Sequence, residues 1–320
     1  MNTATHRTTL QKLREAGEVF MPGHRACIGC GEVLAMRQVF KTLGRDTIVA
    51  CATGCMEIIS SPFPTTNWDI PWIHALFENT AAVAAGIESG IGAMKRKGRG
   101  PAQEVTVVAM GGDGATFDIG LQALSGALER GHNFIHVCFD NEGYMNTGIQ
   151  RSSATPYGAT TTTSPHGKNS IGQTTQKKDM PLIALAHHIP YVATATPAHP
   201  TDLARKVRKA RDIKGPAFLH IFSPCPTGWG TDSDLAIELC RLAVETGVFP
   251  LWECVYGKYE LTKTVKELRP IRDYLGTQRR FRHLPDDIID QIQDTVRQNY
   301  EDLKRKCGIG TGQTSEELPS

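Results

Sequence analysis

One stretch limits the fold more than any other. Apolar Val105–Met110 is followed by Gly111-Gly112-Asp113-Gly114, then by a helical stretch from about Phe117 to Glu129, then by apolar Phe134–Phe139. Two apolar runs of strand length joined through a glycine turn and a helix make a βαβ unit. Its strands must run parallel with a right-handed crossover. The same alternation continues as helix Pro181–His188, strand Tyr191–Ala195, helix Thr201–Asp212 and strand Ala217–Phe222. The pattern predicts an α/β fold with a doubly wound parallel sheet.

Upstream, Cys27-Ile28-Gly29-Cys30-Gly31 leads into a helix over Val33–Leu43, and Thr47–Ala50 reads as a strand ending near Cys51 and Cys55. Residues 56–75 read as a Pro- and Trp-rich connector, and Asn79–Met94 as a helix of small residues that can approach another backbone closely. From Glu142 to Met180 run 39 mostly polar residues without periodicity. Ordering them costs about 40–80 kcal/mol, and structureless loops of this length are functional or disordered; order against a cofactor or partner is expected. Beyond lie helix Ser233–Thr246, a hairpin-like segment at Pro250–Tyr259 and an amphipathic helix Pro285–Lys306. Residues 1–230 therefore read as the α/β domain, and residues 231–320 as a C-terminal helical extension packing on the core or on partner subunits.

A net charge of +2, from 35 Lys and Arg against 33 Asp and Glu, leaves no footprint for nucleic acid. The first 20 residues carry Arg7, Lys12, Arg14 and Glu15 with no apolar core, so no secretory leader is expected. No uncharged apolar run approaches the ~20 residues of a membrane span. Nine cysteines exceed what packing explains, yet lack the dense pairing of a secreted scaffold. The expectation is a cytoplasmic protein engaging neither membrane nor nucleic acid.

Two constellations carry chemistry. Gly112 and Gly114 let a backbone turn come close to a phosphate, at the strand end where α/β sheets bind ligands. Asp113 adds a hard carboxylate suited to Mg²⁺. The next parallel strand returns Asn141, 28 residues on, to the same edge with an amide oxygen, and Gly143 with a backbone carbonyl. Gly-Asp-Gly alone also occurs in ordinary turns, and the βαβ context is what gives it weight. The second constellation is Cys27, Cys30, Cys55 and Cys225, all in turns or at strand ends. Four thiolates suit zinc or a 4Fe-4S cluster, and spacing does not choose between them. A single Cys-x-x-Cys knuckle with two distant cysteines favours a cluster over a zinc ribbon. Cys51, Cys138, Cys240, Cys254 and Cys307 read as packing residues, with Cys51 the rival to Cys55. His187 and His188 read as hydrogen-bonded structural residues; His24 and His74 lie near the motif-bearing loops, and none of the four is assigned a catalytic role.

Ala26–Glu32, Ala52–Cys55, Gly112–Gly114, Asp140–Arg151 and Ser223–Cys225 together resemble the β subunits of the 2-oxoacid:ferredoxin oxidoreductases, the pyruvate type in particular. The resemblance implies the thiamine diphosphate-binding, pyrophosphate-module fold. It implies thiamine diphosphate bound through Mg²⁺ at Asp113, Asn141 and the Gly143 carbonyl, with Gly112, Gly114, Glu32 and Cys55 also lining the cofactor. Asn146 and Thr147 would lie beside the thiazolium and substrate, and Cys27, Cys30, Cys55 and Cys225 would ligate the proximal 4Fe-4S cluster. The implied reaction is oxidative decarboxylation of a 2-oxoacid, pyruvate favoured, to acyl-coenzyme A and CO₂. Alternatives are phenylglyoxylate, a branched-chain 2-oxoacid or oxalate.

By the same resemblance an α subunit supplies the activating glutamate, so this chain alone is inactive. A ferredoxin-like polycluster subunit and a γ subunit complete the assembly, and ferredoxin or another acceptor takes the electrons. Arg279, Arg280, Arg282 and His283 read first as a solvated face and second as a dock for such an acidic acceptor. A reading from a different class is a zinc-stabilised, non-catalytic structural subunit.

Overall fold

Strands form where β-branched and apolar residues run without interruption, and the computed structural model, which describes residue 11 and residues 15–309, places them in one sheet. Arg7, Lys12, Arg14 and residues 310–320 lie outside the described residues. The chain runs through α1 (Gly31–Leu43), β1 (Thr47–Ala52), α2 (Cys55–Ser60), β2 (Trp72–Ala75), α3 (Thr80–Arg96) and β3 (Thr106–Gly112). A π-turn at Gly114–Asp118, α4 (Leu121–Glu129) and β4 (Ile135–Asp140) follow, then a small hairpin of β5 (His166–Gly167) and β6 (Ser170–Ile171). Next come α5 (Met180–Leu185), β7 (Tyr191–Ala195), α6 (Pro200–Asp212), β8 (Ala217–Phe222) and α7 (Pro226–Trp229). The last elements are α8 (Ala236–Glu245), β9 (Trp252–Val255), β10 (Lys258–Leu261), α9 (Ile271–Leu275) and α10 (Asp286–Lys306).

The sheet order is β10-β9-β7-β8-β4-β3-β1-β2. The six strands from β7 to β2 are parallel, while β9 and β10 add an antiparallel edge. From β1 the chain moves outward to β2 and returns on the other side to β3. That reversal is a topological switch point, where open α/β sheets leave a crevice at their carboxyl ends. The loops starting at Thr53, Asp113, Asn141 and Ser223 all leave this edge.

Helices cover both faces. Val49, Val108, Met110, Val137 and Phe139 face α1 and α6, whereas Ala50, Val107, Ala109 and Cys138 face α3, α4 and α5. Each large apolar side chain so buried contributes about 1.5–3 kcal/mol. β4 and β8 are buried at every position, as strands covered on both faces must be. The expected small-residue helix is α3, whose Ala81, Ala84 and Ala85 are buried in one cluster with Ala50 of β1.

Four expectations need correction. The connector at 56–75 contains α2 and the edge strand β2, which Pro62, Pro64 and Pro71 obscure in the sequence. α5 ends at Leu185 rather than His188; His188 turns left-handed at φ 55° ahead of Pro190, which disfavours helix in the residue before it. The 142–180 segment is ordered against its own chain: Ser152, Ala154, Thr155 and Ala159 are fully buried, Gly158 N donates to Gln173 O at 2.7 Å, and Thr160 N donates to Arg280 O at 3.0 Å. The Arg279–His283 run is not a uniform solvated face, because Arg280 is only 4% exposed. Among the described residues no helix is long and apolar enough to cross a membrane.

Candidate functional site

Asp113 follows β3, Asn141 follows β4 and Glu32 sits in the first turn of α1, so three elements bring these polar side chains to one buried place. Asn141 Nδ2 donates to Glu32 Oε2 at 3.1 Å. Glu32 Oε1, Asp113 Oδ1 and Asn141 Oδ1 are all buried without a hydrogen-bond partner. A buried unsatisfied polar atom costs roughly 1–3 kcal/mol, so three at a ligand-binding edge mark acceptors that a cation or a donor completes. Burial pushes the Glu32 carboxyl up to about 7, with the Asn141 amide opposing. Burial and then the charge of Asp140 drive the Asp113 carboxyl well above its usual range, while the Ser152 hydroxyl donates to it and works the other way. Oxygen donors of this kind fit Mg²⁺.

The turn after β3 is a π-turn rather than the first turn of a regular helix, and wide turns of this kind are frequent at functional sites. Its glycines have steric reasons. A Cβ on Gly114 would stand 2.4 Å from the Tyr144 ring, whereas one on Gly112 would meet only Phe139 O at 3.9 Å, filling the open cradle beside the strand end. Tyr144 is fixed by donating to Asp118 Oδ2 at 2.8 Å, and its N and O bond Gln150 and Ile149 to close a tight loop. Asn146 and Thr147 lie exposed in that loop, Thr147 Oγ1 donating to Gln150 Oε1 at 2.5 Å. The Gly143 carbonyl belongs to the turn just before it.

The four cysteines share one microenvironment. Gly31 N donates to Pro224 O at 3.0 Å, which zips the Cys27–Cys30 knuckle to the segment carrying Cys225. Burial pushes the Cys30 thiol up to about 12 and the Cys225 thiol up to about 11, and Glu32 adds to both. Cys55 is raised by burial, then by Glu32, and further by Cys225, Cys30 and Cys27. All are free thiols, Cys27 exposed and the others partly so. Among the described residues no group of three or more His, Cys, Asp or Glu is arranged as a ready-made metal site. Cys51 is fully buried with its neighbours in the core, which separates it from Cys55. His74 Nε2 lies 2.7 Å from Thr53 Oγ1 beside the Cys55 loop, while His24 stacks on Phe20 and accepts from Ala26 N. His187 bonds Ser125 Oγ at 2.7 Å, a structural role.

Sequence reasoning missed the frame around Asn141. Lys177 Nζ reaches Asp140 Oδ2 at 2.5 Å and Glu142 Oε1 at 2.9 Å, and His220 Nε2 lies 2.7 Å from Asp140 Oδ2. Burial alone would raise the Asp140 carboxyl, but Lys177 and His220 outweigh it and bring it down to about 2. Ser152, Trp229 and Arg280 complete the frame. Only Asp140 and Glu142 had a signal, as neighbours of Asn141; Ser152, Lys177 and Trp229 stand alone in short or irregular stretches, His220 is hidden inside the apolar run of β8, and Arg280 is one of a cluster of arginines.

Residues 52–221 match the family described as thiamine pyrophosphate enzyme, C-terminal TPP binding domain, a span running from the end of β1 to β8. The chain is 54% identical over 287 residues to pyruvate synthase subunit PorB of Methanothermobacter marburgensis, covering 90% of this chain and 98% of the relative. It is 47% identical over 294 residues to ketoisovalerate oxidoreductase subunit VorB of Pyrococcus furiosus, covering 91% and 94%. Among solved structures, a chain of 2-oxoglutarate:ferredoxin oxidoreductase from Magnetococcus marinus, with 2-oxoglutarate, coenzyme A and succinyl-CoA bound, shares the fold. Its TM-score is 0.55 at 23% identity, over 91% of this chain and 99% of that one. A sheet edge with Asp113, Asn141 and four cysteines, and relatives matched over almost their whole length, lead to one conclusion: the chain belongs to the β-subunit family of the 2-oxoacid:ferredoxin oxidoreductases.

Proposed function

We propose that this chain binds thiamine diphosphate through Mg²⁺ and holds a 4Fe-4S cluster beside it, within a complex that oxidatively decarboxylates pyruvate to acetyl-coenzyme A. The observation that carries this reading is the Glu32–Asn141 hydrogen bond. Glu32 lies two residues beyond Cys30, so that bond ties the thiol knuckle to the diphosphate loop.

Thiamine diphosphate, when bound, supplies the electron sink for loss of CO₂. The chain's own residues do the rest of the work here. Asp113 Oδ1, Asn141 Oδ1 and the Gly143 carbonyl would hold Mg²⁺, and Gly112 leaves room for the diphosphate. Asn146 and Thr147, exposed on their loop, face outward to orient a substrate. Cys27, Cys30, Cys55 and Cys225 would ligate the cluster. One Cys-x-x-Cys knuckle with two distant cysteines favours a four-iron cluster over a zinc ribbon. Pyruvate is favoured over a branched-chain 2-oxoacid because four PorB relatives reach 50–54% identity and the VorB relatives 46–47%, although within Pyrococcus furiosus the PorB and VorB subunits stand level at 46% and 47%. The activating glutamate, the other clusters and the acceptor are assigned to α, polycluster and γ subunits and to ferredoxin.

Iron and acid-labile sulfide, with the visible spectrum, are measured on anaerobically purified protein, followed by a 2-oxoacid screen with the partner subunits present. About four irons and four sulfides per chain, as a 4Fe-4S cluster requires, with turnover of pyruvate ahead of 2-oxoisovalerate, is the expected result. A colourless protein holding zinc would move the structural-subunit reading to first place.

A further inference from the structure

We propose that Arg280 is a positioning residue for Asn141 and for the loop that carries Cys225. The proposal rests on the magnesium and cluster roles argued above. Arg280 is 4% exposed and does three things at once. Its Nη2 pairs with Glu142 Oε2 at 2.5 Å, its Nε donates to Gln278 Oε1 at 2.9 Å, and its guanidinium lies over the Trp229 ring, 4.0 Å from the centroid.

Two of these partners, Glu142 and Trp229, bear directly on Asn141. Glu142 stands between Asn141 and Gly143, the two positions whose oxygens face the proposed Mg²⁺. It takes a left-handed φ of 66°, uncommon for a residue with a side chain, while its N donates to Asp140 Oδ1 at 2.9 Å. Such a turn persists when surrounding contacts over-determine it: Thr155 Oγ1 donates to Glu142 O at 2.9 Å, and Lys177 and Arg280 grip the two carboxylate oxygens. Trp229 Nε1 donates to Asn141 O at 2.8 Å. Its ring is therefore set from one side by Asn141 and from the other by Arg280. Trp229 ends α7, the turn that Cys225 caps by accepting from Gly228 N at 3.3 Å. One guanidinium thus fixes the turn that presents Asn141 and the short helix behind Cys225.

A planar fork that also stacks is a task for arginine and not for lysine. Outer partners that orient metal ligands typically affect metal affinity 10- to 100-fold. The test uses the full chain purified with the subunits it assembles with, and reads the Mg²⁺ concentration that half-saturates thiamine diphosphate binding. Arg280→Lys keeps the charge, and Trp229→Phe removes only the indole donor and part of the stack. Leu239→Ala, in the same C-terminal apolar cluster but outside the network, serves as the control for plain destabilisation.

Arg280→Lys and Trp229→Phe should each raise the half-saturating Mg²⁺ by about 10- to 100-fold, and the double variant should be no worse than the worse single, since the two act through one contact. Leu239→Ala should lower the melting temperature and leave the Mg²⁺ dependence in place. Unchanged Mg²⁺ dependence in Trp229→Phe, or an equal shift in Leu239→Ala, would overturn the proposal; if Arg280→Lys does not fold, Trp229→Phe decides alone. Absence of Mg²⁺-dependent binding in the unaltered protein would overturn the functional reading itself, and this proposal with it.

Discussion

At position 113 folding and ligand binding make opposite demands. The Asp113 carboxyl is 1% exposed, one of its oxygens has no partner, and Asp140 adds repulsion. In the ligand-free protein an amide would serve better, since it still accepts from Ser152 and carries no charge. Asp113→Asn should therefore stabilise the ligand-free chain by about 1–3 kcal/mol, while Mg²⁺-dependent thiamine diphosphate binding is lost and iron content stays unchanged. Urea unfolding beside calorimetric titration checks both halves, and loss of iron together with cofactor would point to misfolding.

His136 gives a separate residue-scale prediction. Burial holds its imidazole down to about 3 against the ordinary 6.5. Between those values the unfolded chain binds a proton that the folded chain does not. Stability from this group is complete above pH 6.5 and falls by ~1.4 kcal/mol per unit as pH drops toward 3. His136→Phe, beside the stacked Phe218, should flatten that decline, read as the shift in urea midpoint between pH 7 and pH 5. Asp113, Asn141, Cys55 and Cys225 were legible as candidates because they sit just past strand ends, and Cys27 and Cys30 because they form a Cys-x-x-Cys knuckle ahead of α1. Arg280 was not, because its partner Glu142 lies 138 residues earlier, and in sequence it stands among exposed arginines.

At the scale of elements, periodicity was readable where strands are buried on both faces, as in Tyr191–Ala195 and Ala217–Phe222, whose bounds hold to the residue. It failed where local geometry bends the rule. β2 has four residues among prolines, and the π-turn at Gly114–Asp118 delays α4 to Leu121 because Gly114 packs under Tyr144. The cysteine knuckle is another such element. Gly29 has φ 75°, and a Cβ there would stand 1.8 Å from Ser233 O, a backbone atom that cannot swing aside. Gly29→Ala should prise the knuckle from the 224–233 segment and lower iron per chain several-fold, with far-ultraviolet circular dichroism unchanged because no core residue is touched. Full iron in that variant would show that the knuckle does not hold the cluster.

For the whole molecule, the βαβ rhythm was enough to foresee the parallel sheet, and the hairpin-like segment expected at Pro250–Tyr259 is β9 and β10; what the sequence did not show is that this hairpin joins the same sheet as its antiparallel edge. The two sheet edges differ. β10 presents Lys258 and Glu260 to solvent, charges that discourage further strand pairing. The opposite side is bare and apolar: Ile73 of β2 is 48% exposed, Leu76 beyond it 63%, Ile119 after the π-turn 53% and Ile28 in the knuckle 84%. Leu76 follows β2, Ile119 follows the π-turn and Ile28 lies in the knuckle, so exposed apolar side chains flank the carboxyl edge that carries the site, as on a surface that another chain covers. The α subunit is the chain that the proposed chemistry requires there, because the activating glutamate must approach this same edge. Leu76→Ser with Ile119→Ser should therefore leave the melting temperature of the isolated chain within a few degrees, as substitutions of exposed side chains do, yet reduce the α subunit recovered in co-purification by about tenfold, equivalent to about 1.4 kcal/mol of lost association. Full recovery of the α subunit would move the contact to another face, and a lowered melting temperature would mean that these side chains serve this chain's own packing.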